Sequence, residues 1–324
     1  MSDNPYLYEN EITWSLPCLF QYEAVLGTIQ HFLKMLGFAP IKAELYGAPS
    51  CAWAGGRKPV IYDKLNPKML GNLFEYVRKV NATPVFTFTY TGITQEDLKD
   101  EYCNMLLDTA LEHNCKFMVY SDLLKDYIKN KKSDAYIISS VLKPVFYFQG
   151  ANRIEDVDVE KETQLYEKLL KEYDMVALRA EYSKFILSQD TTLLKDLSRT
   201  QVLINQSCLC NCNLAPEHVK FNERFRLEKE NNLEFVCPKL NLPTNVKYQN
   251  NSMHTVNEIQ NLINAGVKNF KIKGRGGSAE PLHILQILVS LIFKCEGPNY
   301  LFPTGVSRDH LENEIGYFNK LLNL

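Results

Sequence analysis

The sequence predicts an α/β fold, a (β/α)8 barrel of the TIM type, and three observations predict it. Short β-branched or aromatic runs alternate with longer helical patterns along nearly the whole chain. Eight such runs can be counted, and no glycine-rich dinucleotide fingerprint follows the first. Strands separated by helical stretches imply parallel βαβ units. Eight units suit a closed barrel better than an open doubly wound sheet, which would carry that fingerprint.

The elements follow in order. Ile12–Leu16 reads as the first strand, and Gln21–Leu36 as a helix closed by Gly37. Ile41–Leu45 is the second strand, followed by a helix over Pro67–Val80. Val85–Tyr90 alternates as a third strand should. Thr94-x-x-Asp97 resembles a capping box with Asp in place of Glu, opening a helix to about His113. Phe117–Tyr120 is the fourth strand, Asp122–Lys129 a short helix, and Ala135–Ser139 the fifth strand. A polar linker then leads to the helix Glu160–Tyr173 and the sixth strand, Met175–Leu178. Leu193–Leu197 suggests a brief helix before the seventh strand, Gln201–Asn205. The eighth, Asn269–Lys273, lies between the helix Val256–Ala265 and one starting near Pro281. The chain is read as one domain, 1–324. Residues 213–253 form an irregular excursion or cap between the seventh and eighth units, because that stretch is too long for a plain connection.

Composition narrows the class. The 324 residues are 45% hydrophobic and 23% charged with a net charge of −2, ordinary for a soluble globular chain and without a global basic field for nucleic acid. The N-terminal residues show no secretory pattern, and the most apolar helix-length run, Leu282–Phe293, is too short to span a bilayer. Nine cysteines, an odd number in a chain this large, favour a reducing compartment. The expected location is the cytoplasm, with no membrane partner.

In such barrels chemistry sits where the strands end. Five of the nine cysteines fall at those ends: Cys18, Cys51, Cys208, Cys210 and Cys212. Cys103, Cys115 and Cys295 fall in helical or pre-strand positions and read as small core residues. Along an extended chain, thiols at i, i+2 and i+4 stand roughly 6.6–7 Å apart on one side. Two thiolates on one tetrahedral zinc must approach to roughly 3.8 Å, so the spacing suits a cubane cluster better. Cys237, in a Cys-Pro step, is a further candidate ligand; a run of unliganded thiols is the alternative. Cations gather at the same end. Arg57 follows two glycines, and Lys271 and Lys273 share one face of the eighth strand, with Arg275 just beyond. Two cations on one face of a barrel strand call for an anionic partner. His218, ten residues after Cys208, and Glu181, after the sixth strand, are candidates for moving protons. Neither a Ser-His-Asp order nor a nucleophile elbow is present.

Two motifs resemble a known family. Asn205-x-x-Cys208-x-x-x-Cys212-x-x-x-x-x-His218, with Ala265-Gly266-Val267-x-x-Phe270-Lys271-Ile272-Lys273-Gly274-Arg275, is similar to the collagenase-like peptidase family of unassigned catalytic type. Lys273 stands where that family usually has Glu, Cys210 is an extra thiol, and the motif around Cys237 is reduced to Cys-Pro. The family includes proteins described as peptidases and oxygen-independent hydroxylases of ubiquinone precursors or RNA bases, some with a 4Fe–4S cluster. The resemblance implies Cys208, Cys212, Cys237 and Cys51 as cluster ligands.

The expected function is therefore an iron–sulfur barrel enzyme. It carries out redox or hydroxylation chemistry on an anionic or aromatic small molecule or a nucleobase, held by Arg57, Lys271, Lys273 and Arg275. Zinc is the alternative metal. The alternative functions are a peptidase of that family and a non-catalytic, metal-stabilised barrel that serves a partner protein.

Overall fold

A computed structural model describes residues 11–17, 19–20, 40–55, 61–148, 158–209, 212–227 and 251–273, with a few single positions besides. Eight strands close a barrel, every neighbouring pair parallel: β1 (Thr13–Pro17), β2 (Lys42–Gly47), β3 (Ala82–Phe88), β4 (Lys116–Val119), β5 (Ile137–Ser139), β6 (Met175–Leu178), β7 (Thr200–Leu203) and β10 (Asn269–Lys271), which returns to β1. The expected barrel is the observed one. Between the last two barrel strands, β8 (Asn205–Leu209) and β9 (Asn251–Met253) form a separate antiparallel pair.

The helices form for local reasons. α1 (Pro67–Lys79) starts on Asn66, whose side chain accepts from the Met69 amide at 3.0 Å, and Pro67 needs no donor there. It buries Leu70, Phe74 and Val77, one helical face, against the barrel. α2 (Glu101–Glu112) is capped by Asp100, whose carboxylate accepts from the Cys103 amide at 2.7 Å. The Thr94–Asp97 bonds exist, but they close a short 3-10 turn, Asp97–Lys99, so the α-helix begins six residues later than the pattern suggests, capped by Asp100 instead of Thr94. α3 (Asp122–Lys131) and α5 (Val159–Glu172) fall close to expectation. α7 (Val256–Asn264) opens on a full capping box of Thr255 and Glu258. Helix exits turn through the left-handed region at Asn81 (φ 59°), Asn114 (φ 49°) and Gly266 (φ 108°), each just past a helix end.

Three elements were not expected. α4 (Leu142–Tyr147) lies in the linker after β5, with Pro144 in its first turn, where a missing amide leaves no gap. α6 (Ala215–Glu223) lies inside the excursion. A π-helical turn, Ser183–Leu187, follows β6, and two 3-10 turns replace the brief helix expected at Leu193–Leu197. The seventh strand also ends earlier than expected, because Asn205 belongs to the β8–β9 pair. The helices expected at Gln21–Leu36 and near Pro281 lie wholly or largely outside the described residues.

Two apolar layers result. Outward residues such as Trp14, Phe86, Phe117 and Phe270 pack under the helices; Phe86 meets the rings of Phe20, Phe74 and Phe88 within 6 Å. Inside the barrel, a separate small cluster joins Val85, Met118, Ile138, Met175 and Ala177, with Tyr46 and Tyr136 against it. Strand register stacks the inward side chains in layers of four. Glu44, Lys116, Met175 and Asn269 form the one nearest the strand N-termini. Ser15, Val85, Ile138 and Gln201 lie above them. Tyr46, Met118, Ala177 and Lys271 cap the stack. Such barrels usually stack branched aliphatics. This one places charges and amides on its axis.

Candidate functional site

The top layer of the barrel is the floor of its C-terminal mouth. Lys271 reaches it from β10: its ammonium lies 3.9 Å from the centre of the Tyr46 ring and 3.3 Å from the Met118 sulfur. A cation over an aromatic face is attracted by the ring's quadrupole. Tyr46 is itself oriented, donating its hydroxyl to the Ile272 carbonyl at 2.8 Å. Lys273 stands at the same strand end, its backbone clamped by Asn205. The Asn205 amide donates to the Lys273 carbonyl at 2.8 Å and accepts from its N–H at 2.6 Å. That clamp explains the Asn of the first motif: it ties β8 to the end of β10.

Below the floor, Glu44 pairs with Lys116 at 2.7 Å, and Lys116 lies over the Tyr136 ring at 4.4 Å. The second Glu44 oxygen and both amide atoms of Gln201 are buried with no hydrogen-bond partner among the described residues. Buried polar atoms that lack protein partners are satisfied by water in most folds. Polar atoms on the axis thus remain to be satisfied by water or another polar group.

One side of the mouth is strapped shut by α6. Its last residue, Glu223, is buried and accepts from the Thr91 amide at 2.9 Å and the Thr91 hydroxyl at 2.8 Å. The Arg226 guanidinium stacks 4.0 Å from the centre of the Tyr90 ring, while Ser50 and Tyr62 donate to the Arg226 and Phe225 carbonyls. His218, on the same helix, is half-buried and stacked face to face on Phe235, 4.6 Å between centroids. Glu181 is buried in the helical turn just after β6. Its neighbour Arg179 turns away to α5, where the guanidinium grips Glu162 through two bonds of 2.8 and 2.7 Å. Burial opposes the Arg179 charge, but the Glu162 carboxylate overrides that and raises its pKa.

One pair was not foreseen. His254 and Ser183 are both fully buried, with the imidazole Nε2 3.0 Å from the Ser183 hydroxyl. Burial, then the Lys184 charge, lowers the His254 pKa to about 3, so the ring is neutral. The Ser183 oxygen also lies 3.3 and 3.1 Å from the Arg179 and Ala180 carbonyls. Sealed from any substrate, this pair fastens the turn after β6 to the segment before α7. Nothing in a lone Ser and a lone His 71 residues apart announces it.

Cys51 is buried in the core, where its thiol is hydrogen-bonded to that of Cys103. That bond, then burial, pushes the Cys103 thiol far above its ordinary value. The loop after β2 folds inward around Trp53, whose indole donates to the Asp97 carbonyl, and carries Cys51 with it. Cys212 is partly exposed at the foot of α6. The side chains of Cys208 and Cys237, and of Cys18, Cys210, Arg57 and Arg275, lie outside the described residues. Among the described residues no three His, Cys, Asp or Glu side chains converge as a metal site.

No family model matches the sequence, and no curated protein does. Among solved structures, a U32 peptidase, Mk0906, is similar at 12% identity and a TM-score of 0.47, over 82% of this chain and 93% of that one. AsfvAP:AG is similar at 12% identity and a TM-score of 0.41, over 88% of this chain and 98% of the other. Values this low carry no argument about activity. The expected iron–sulfur redox function is corrected: Cys51, one of its four expected ligands, is packed in the core beside Cys103, and among the described residues no metal-ligating cluster forms. No helix among the described residues is long and apolar enough to cross a membrane. What the strand order establishes is the architecture: the chain is a (β/α)8 barrel protein.

Proposed function

We propose that the chain is a peptidase-type barrel that binds peptides across its C-terminal mouth and takes a carboxylate on Lys271. The observation that carries this reading is the Lys271 ammonium, set in the top layer of the barrel on Tyr46 and Met118. A partly buried cation attracts an anion more strongly than one on an open surface. A carboxylate meets it in size and charge. The two motifs that resemble the collagenase-like peptidases support a peptide as the carrier of that carboxylate. Lys273, at the same strand end, supplies a second cation, and Arg57 and Arg275 are further candidates. His218 on α6 and Glu181 after β6 are the groups proposed to move protons.

A second reading is a barrel that binds peptides for a partner protein without cleaving them. The sealed Ser183–His254 pair favours it, because no exposed nucleophile–base pair occurs among the described residues. The reduced thiols of Cys51, Cys103 and Cys115 support a reducing compartment, and we place the protein in the cytoplasm.

The test is incubation of the reduced full chain with gelatin, denatured casein and a random peptide library, with products read by mass spectrometry. Cleavage lost in Lys271→Met supports the peptidase. Binding without cleavage, also lost in Lys271→Met, selects the accessory reading. Peptide binding that Lys271→Met leaves unchanged overturns both.

A further inference from the structure

A cleft of about 500 Å³ opens between the loops that follow β3 and β4, the short helix α4 and the outer face of α5. No residue of the Lys271 floor lines it, so it stands apart from that floor. Its base is apolar. Leu165 and Leu169 supply it, on the stripe of α5 where Lys161, Lys168 and Glu172 also fall at helical spacing. Its wall is aromatic. Tyr120 and Phe146 meet edge to face at 5.7 Å, and Tyr147 is 57% exposed, a large ring left to solvent.

Lysines from three helices reach these rings. Lys143 of α4 lies over Tyr120 at 5.6 Å, Lys220 of α6 over Phe146 at 5.8 Å, and Lys161 of α5 over Tyr147 at 5.7 Å. Each ring already has a cation near its face, which disfavours a cationic guest. Carboxylates answer these lysines only in part. Asp122 pairs with Lys143 at 3.0 Å. Glu172 stands 3.9 Å from Lys168 and 3.9 Å from Lys125, outside hydrogen-bond reach of either. Glu223, the other carboxylate near Tyr120, is held by Thr91. Lys161 and Lys220 join no ion pair among the described residues. Burial, then the Glu223 and Asp122 charges, raise the Tyr120 pKa, so its hydroxyl keeps its proton at neutral pH and can donate. The cleft therefore combines an apolar base, ring faces and cations not fully answered by carboxylates.

We propose that this cleft binds a small planar aromatic molecule that carries an oxyanion, a carboxylate or a phosphate. The ring lies on Phe146 and Tyr147 by edge and stacking contacts, and the anion lies among Lys161, Lys168 and Lys220. Ring and anion are recognised by different side chains, and none of those side chains belongs to the proposed peptide site, so the two sites are tested separately.

Calorimetric titration of the full chain with naphthoate, naphthyl phosphate, naphthamide and cyclohexanecarboxylate tests it. Both naphthyl anions are expected to bind roughly tenfold more tightly than the amide, and naphthoate roughly tenfold more tightly than cyclohexanecarboxylate. Tighter binding of naphthyl phosphate than of naphthoate identifies a phosphate, and the reverse a carboxylate; either supports the site. Lys161→Ala combined with Lys220→Ala, both at exposed positions, is expected to erase the preference for anion over amide and keep that for naphthyl over cyclohexyl. Tyr147→Ala, also exposed, is expected to do the reverse. Glu172→Gln is expected to tighten naphthoate by about threefold, because it removes a neighbouring negative charge. Lys271→Met is expected to change none of these values, and thermal melts confirm that each variant is folded. Equal binding of naphthoate and naphthamide, or a preference that the double lysine variant leaves intact, overturns the anion half. Equal binding of naphthoate and cyclohexanecarboxylate, or a ratio that Tyr147→Ala leaves intact, overturns the ring half. Binding of none of the four, or binding that Lys271→Met abolishes, overturns the site.

Discussion

Asn205 holds Lys273 by both of its main-chain polar groups, at 2.8 and 2.6 Å, as a strand partner would. A side-chain amide carries one donor and one acceptor in the spacing of a peptide group, so it extends the sheet where β7 has already ended. Replacing it by Leu leaves two backbone groups at the mouth without protein partners. The expected loss is about 2–3 kcal/mol of unfolding free energy, and Asn205→Asp, which sets a buried carboxylate oxygen against the Lys273 carbonyl, is expected to lose at least as much. Urea melts of both variants check the order.

The barrel axis responds oppositely at its two unsatisfied residues. Gln201 buries an amide with no partner among the described residues, so Gln201→Met is expected to be neutral or to stabilise by about 1 kcal/mol. Glu44→Leu strands the Lys116 ammonium beneath the Tyr136 ring and is expected to destabilise by about 3 kcal/mol. A Gln201→Met variant that loses several kcal/mol shows that the amide is fully satisfied, by water or a ligand held on the axis.

Acid sensitivity is expected to track His254. Its folded pKa is about 3 against an ordinary 6.5, so between those values the unfolded chain binds the extra proton and the folded chain does not. The resulting stability is complete above pH 6.5 and is lost as pH falls, at about 1.4 kcal/mol per unit once the unfolded ring is charged. His254→Asn is expected to flatten the difference between unfolding free energies at pH 7 and pH 5. An unchanged slope in that variant would show that other groups carry it.

The Glu162–Arg179 pair sits under the end of β6, with Tyr166 donating to the same carboxylate at 2.9 Å. Glu162→Ala leaves a buried guanidinium, an expected loss of about 3–5 kcal/mol, enough to threaten folding. The double change Glu162→Met with Arg179→Met removes the charge altogether and is expected to recover most of that loss. Thermal melts of the single and double variants give the coupling.

The barrel was legible because hydrophobic period and strand spacing are local properties, and each strand of the closed sheet carries its own signal. Caps were legible for the same reason: Thr255 and Glu258, or Asn66 and Pro67, act within one turn. α4 and the π-helical turn escaped because neither is long enough to show a period. The mouth was legible in part. Lys271 stands where alternation along the eighth strand puts it, whereas nothing along the chain tells which way the loop carrying Cys51 folds. A loop can fold either way from a strand end, and the packing of Trp53 against Phe88 and Tyr127 settles which.

By itself the sequence determined the closed parallel barrel and the cationic end of its last strand, because both follow from side-chain order along the chain. The tertiary structure alone decided the rest. It turned Cys51 inward to Cys103, sealed Ser183 on His254, and drew α6 over the mouth through Glu223 and Thr91. Each of those contacts joins residues dozens of positions apart. Their pairing is chosen by which buried groups satisfy one another once the barrel has closed.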